Sequence, residues 1–174
     1  MQSTNDTYVT GLFPDRDSAE RAYQSAHERG YGSDDVNLAM SDETRQRHFG
    51  ADATGSELGT KAGQGAGIGG AIGGTVGAIA AAIAAVGTSL VLPGLGLVVA
   101  GPIAAALAGA GAGGAAGGIV GALVGWGIPE ERIKLYDEGI KKGGILMGVK
   151  SRSADDADHL ERAWRDANGT QVYR

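Results

Sequence analysis

From residue 62 to residue 129 the chain carries no charged side chain, a run of 68 positions filled mostly by Gly and Ala. Within it the glycines keep a four-residue step. Gly65, Gly69, Gly73 and Gly77 form one series, and Gly109, Gly113, Gly117, Gly121 and Gly125 form a second. Residues four apart share a helix face, so each series describes a continuous groove without side chains. Such a groove lets a second backbone approach closely, as small-xxx-small interfaces do.

Two arms are expected. Residues 62–87 hold nine Gly, nine Ala and six large aliphatics (Ile68, Ile72, Val76, Ile79, Ile83 and Val86) at steps of three and four, which makes a single helical stripe. Residues 101–126 again hold nine Gly and nine Ala, with Pro102 suited to a first turn. As helices the arms would each run ~39 Å, enough to cross a bilayer core. Glycine argues against isolated arms, since each costs about 1 kcal/mol against Ala in a helix. The few large aliphatics make membrane insertion marginal.

Between the arms, residues 88–100 hold seven large aliphatics in thirteen positions. The spacing predicts an antiparallel helical hairpin that turns at Pro93-Gly94 and ends in an apolar tip remote from the polar flanks. The tip residues are Leu90, Leu92, Pro93, Leu95, Leu97 and Val98. Such a tip needs cover, either from lipid or from other tips. Both covers stay open. A flexible linker is the bland alternative, but it leaves the glycine step and the isoleucine stripe unexplained.

The polar flanks read as one small domain split by this block. Residues 8–13 form a strand ending at Pro14. Residues 17–29 form a helix with Ala19, Ala22, Tyr23 and Ala26 inward, Asp17 and Glu20 as its cap pair and Gly30 as its stop. Val36, Leu38 and Met40 alternate in a second strand. Past the block, Pro129-Glu130-Glu131 opens a helix with Ile133, Tyr136 and Ile140 inward, ended by Gly143-Gly144. A strand at 145–150 follows. Ser153 with Asp156 caps a helix whose stripe is Ala157, Leu160, Trp164 and Ala167, and Thr170–Arg174 is a last strand.

The expected fold is therefore α+β: a ferredoxin-like split βαβ sandwich interrupted by a long Gly/Ala-rich glycine-zipper helical hairpin. The expected divisions are 1–58 for the first half of the head, 59–128 for the hairpin with its tip at 88–100, and 129–174 for the second half. Each half alone is too small to bury a core.

Little in the sequence points to chemistry. Net charge is −5, so nucleic acid is not an expected partner, and without cysteine there is no thiolate or disulfide. Residues 1–8 are polar and show no secretory pattern. Gly65–Gly70 and Gly109–Gly114 fit G-x-G-x-x-G, but neither follows an expected strand nor precedes the required acidic residue. His27, His48 and His159 are scattered, with His27 and His159 read as solvated. Asp155, Asp156 and Asp158 read as complements to a helix dipole. Arg45, Arg47, Lys61, Arg132, Lys134, Lys141 and Lys142 flank the block as a basic collar, but interspersed Glu57, Glu130 and Glu131 favour an ordinary mixed surface. No catalytic residue, cofactor or metal site is expected.

Five segments carry a resemblance: Tyr8-Val-Thr-Gly-Leu-Phe-Pro, Gly59-Thr-Lys-Ala-Gly, Leu92–Pro102, Gly127-Ile-Pro-Glu-Glu-Arg and the closing Val172-Tyr-Arg. In these, and over nearly its whole length, the chain resembles a bacterial family of general-stress or low-temperature-induced glycine-zipper proteins. The resemblance implies a cytoplasmic, stress-linked protein, with association at the cytoplasmic face of the inner membrane as the lipid variant. It supplies no catalytic residues. The resulting expectation is a non-enzymatic protein whose main partner is itself, a homo-oligomer joined through the glycine grooves. Lipid is the second candidate partner. The rival expectation is a ligand-binding regulatory head anchored by the hairpin.

Overall fold

The computed structural model describes residues 7–49, 90–92, 97–102, 104, 123–124 and 128–174. The elements in chain order are β1 (Tyr8–Phe13), α1 (Arg16–Glu28), β2 (Val36–Ser41), α2 (Asp42–Phe49), β3 (Leu90–Leu92), β4 (Leu97–Ala100), α3 (Glu130–Lys141), β5 (Ile145–Lys150), α4 (Ala154–Asp166) and β6 (Thr170–Tyr173). The class is α+β, as expected. The strands form one sheet in the order β3-β4-β2-β5-β1-β6, and every neighbouring pair is antiparallel.

Two apolar clusters show that the sheet is covered on both sides. Side chains alternate across a strand, so neighbours in sequence enter opposite clusters. Val9, Phe13, Val36, Leu38, Met40, Ile145, Met147 and Val149 join the inner faces of α1 and α4. Leu12, Ala39, Val99 and Leu146 join Ile133, Tyr136 and Ile140 of α3, with Ala104, Leu123 and Ile128. This is why β2 and β5 are buried almost end to end instead of alternating between buried and exposed.

The helix faces agree with the sequence. Trp164 is fully buried, packs edge-on against Phe13 at 5.7 Å and donates its indole N–H to the Ala22 carbonyl at 3.1 Å. Gly11 makes room for it, since a Cβ there would lie 3.0 Å from the indole ring. Ser153 caps α4 by accepting from the Asp156 amide, as expected. The cap of α1 differs from expectation. Asp15, not the Asp17/Glu20 pair, occupies the N-cap and accepts from the Ser18 amide. Glu20 is instead buried, facing Arg16 at 3.6 Å.

Two further differences concern elements. The sequence reading has no helix at 42–49, yet Ser41 accepts from the Thr44 amide and starts α2, with Asp42 and Glu43 in the first turn and Arg47 and His48 in the last. The larger correction is the tip. Leu90, Leu92, Leu97 and Val98 lie not at a remote apex but in strands β3 and β4, and β4 pairs along β2 from Leu38↔Ala100 to Ser41↔Leu97. Pro93 and Leu95 fall outside the described residues. The physical reason is local. Leu-Val-Leu and Leu-Val-Val-Ala are short apolar runs separated by Pro-Gly-Leu-Gly, which is strand grammar, and β2 would otherwise present an unpaired edge.

Candidate functional site

The glycines expected to pack helices, Gly65, Gly69, Gly73, Gly77, Gly109, Gly113, Gly117, Gly121 and Gly125, all lie outside the described residues. What the structure defines is where the uncharged stretch meets the head. Phe49, the last described residue before residue 50, is buried in the α1/α4 cluster. The uncharged stretch is first described at β3, on the head sheet. After β4, Ala104 and Leu123 are both buried in the α3 cluster, beside Ile128. Ala104 and Leu123, on either side of residues 105–122, are thus both seated in the head.

The departure from β4 is stereochemically fixed. Gly101 has φ +100, and a Cβ there would collide with the Val36 carbonyl oxygen while lying 3.0 Å from the Asn37 Cα. Only glycine fits this left-handed, closely packed corner. Its carbonyl then accepts from the Ala104 amide at 3.0 Å, turning the chain over the second face.

Beneath that corner runs a polar row. Thr10, Gly148 and Asn37 are cross-strand partners on β1, β5 and β2. Asn37 donates its side-chain N–H to the Tyr8 hydroxyl, and the Thr10 hydroxyl lies 2.8 Å from that of Tyr136. Thr10 and Asn37 are both buried. Burial pushes the Tyr8 phenol well above its ordinary range despite the opposing hydrogen bond from Asn37, and raises Tyr136 to about 12. These hydroxyls therefore stay protonated and act as hydrogen-bonding groups. α3 lies across this face of the sheet.

The expected solvated groups are partly engaged elsewhere. Arg29 bridges Asp155 at 2.8 Å and Asp156 at 3.2 Å, holding the Asp155 carboxyl below its usual range. The Tyr31 hydroxyl donates to Asp156 at 2.9 Å and accepts from the Arg152 amide at 2.8 Å, with the Arg152 guanidinium 4.4 Å from its ring. This ties the C-terminal end of α1 to the N-terminal end of α4. Dipole complementation was the only role legible for the two aspartates in sequence, because Arg29 and Tyr31 lie more than 120 residues away.

His27 is exposed as expected, whereas His159 is half-buried, with its Nε2 buried and unpartnered among the described residues. Three of the seven collar residues are paired with carboxylates, and Lys61 lies outside the described residues. Arg45 pairs with Asp42, Arg47 with Glu43 and Lys141 with Asp137, and Arg132 stacks 4.2 Å over Tyr173. Among the described residues no cluster of His and carboxylates has metal-binding geometry, and no helix is long and apolar enough to cross a membrane.

Sequence reasoning missed this junction, although Leu92–Pro102 carried its signal in the β-branched pair Val98-Val99 followed by Gly-Pro. Comparison with family models, curated proteins and solved structures gives no match.

Proposed function

We propose that this is a non-enzymatic, stress-associated protein that self-assembles through its Gly/Ala segments, with the α+β head as the platform from which they depart. The observation that carries the reading is the glycine spacing. Nine glycines in each 26-residue arm cost about 1 kcal/mol apiece in a helix, and close packing against a neighbouring backbone is what offsets that cost. The four-residue step supplies the surface for such packing. The resemblance to general-stress and low-temperature-induced proteins supports the stress assignment and a place in the cytoplasm.

The head is read as a ferredoxin-like split βαβ domain. The support is the order β2-β5-β1-β6 with β1-α1-β2 and β5-α4-β6 as its two halves. Two additions set it apart from the plain arrangement: the β3–β4 hairpin beside β2, and α3 across the second face. The burial of Val98 and Val99 within the head removes part of the need for an apolar tip to be hidden in lipid, so sister chains are favoured over membrane as the packing partner.

Fractionation of cells with and without detergent, followed by particle sizing of the soluble pool, tests this. Large detergent-free particles are expected. Release only by detergent would place the protein on a membrane and overturn the preference for sister chains.

A further inference from the structure

The C-terminal strand is held in a conformation that its own sequence disfavours. Between the pairs Thr10↔Tyr173 and Leu12↔Thr170 the β1–β6 ladder slips, with one more residue on β6 than on β1. The extra residue is a bulge, and Gln171 takes the left-handed conformation there, with φ +50. Glycine is the usual occupant of such a position. A non-glycine residue stays in that region only where its surroundings overdetermine it.

The surroundings are visible. The Tyr136 hydroxyl, from α3, donates to the Gln171 carbonyl at 2.9 Å, so the Thr10 hydroxyl is the donor in its own bond to Tyr136. The Tyr173 hydroxyl donates to the Gln171 side-chain oxygen at 2.6 Å, and Arg132 of α3 covers the Tyr173 ring. Thr170 donates its hydroxyl to the Leu12 carbonyl at 3.1 Å. The two contacts on the strained centre and on Tyr173 come from α3, which begins at Glu130 directly after the uncharged stretch. The neighbouring Val172, buried in the α1/α4 cluster, is held by α4 through Arg165 on its carbonyl at 3.4 Å.

We propose that β6 is a detachable strap, kept in a strained, bulged register by Tyr136 of α3, whose release turns β1 into an open sheet edge. Four residues, an irregular ladder and a strained centre give β6 the least secure attachment on that side of the sheet. Any displacement of α3 withdraws the Tyr136 and Arg132 contacts together. The device stands independently of the assembly reading.

Hydrogen exchange of the full chain, read by peptide mass spectrometry, tests it. Tyr136→Phe removes both hydrogen bonds of that hydroxyl and Thr10→Val removes one of them, and each variant should speed exchange of peptides covering 170–173 and 9–12 about three- to tenfold. Peptides covering 145–149 and 157–164 should be unchanged. Gln171→Gly gives up the side-chain bond from Tyr173 but keeps the carbonyl that accepts from Tyr136, and by relieving the left-handed strain it should slow exchange at 170–173 below the wild-type rate. Equal acceleration of all head peptides in Tyr136→Phe would make that residue an ordinary core member and overturn the strap. So would faster exchange in Gln171→Gly, a result that remains readable if the other variants fail to fold.

Discussion

At the scale of single residues, this fold places hydroxyl groups where they cannot ionise at ordinary pH. Tyr136 is raised to about 12 by burial, only partly opposed by its bond with Thr10. In the unfolded chain the same phenol titrates near ~10. The folded state therefore binds the proton more tightly than the unfolded state. Its contribution to stability is intact below about 10 and is lost as pH rises from there through about 12. Urea unfolding at a series of alkaline pH values should show that decline, and Tyr136→Phe should make it shallower. Identical slopes in the two proteins would contradict the burial of this hydroxyl. The stripe to which Tyr136 belongs was legible from spacing alone. Its partners were not, because Thr10 and Gln171 lie 126 and 35 residues away and no local pattern links them. The same limit hid Tyr31 and Arg29 as the tie between α1 and α4.

At the scale of elements, the helices and strands of the flanks other than α2 were readable because amphipathic periodicity and caps are local properties. Ala157, Leu160 and Trp164 fall on one face at helical spacing and are buried together. The β3–β4 hairpin was misread for the opposite reason. Its residues are apolar without alternation, and a short apolar run does not by itself distinguish a buried strand from a helix end. What decides is the partner, the exposed side of β2, and that appears only in three dimensions. The corner at Gly101 makes the hairpin testable. Gly101→Ala places a Cβ against the Val36 and Asn37 backbone in a left-handed conformation, which should cost about 1–3 kcal/mol. For a chain of this size that is a fall of roughly 2–4 °C in Tm per kcal/mol. An unchanged Tm by calorimetry would mean that β4 does not leave the sheet by this turn.

At the scale of the whole molecule, the uncharged stretch is not a pendant on the head. It contributes two strands to the head sheet and three buried residues, Ala104, Leu123 and Ile128, to the cluster under α3. Glycines in step with no charge are what suggest an assembly surface in the sequence, and they lie outside the described residues. Composition gave no hint that the stretch returns to the head midway, since that depends on which strand edge lies open to receive it.

The central claim is that the glycine grooves join copies of this chain. Light scattering coupled to size exclusion, on full-length protein in detergent-free buffer, tests it most directly when wild type is compared with a Gly113→Leu/Gly117→Leu variant. The wild type should elute as a large particle, and the variant should fall to a much smaller mass with unchanged head circular dichroism. Equal particle mass in both, or a monomeric wild type, would contradict the account.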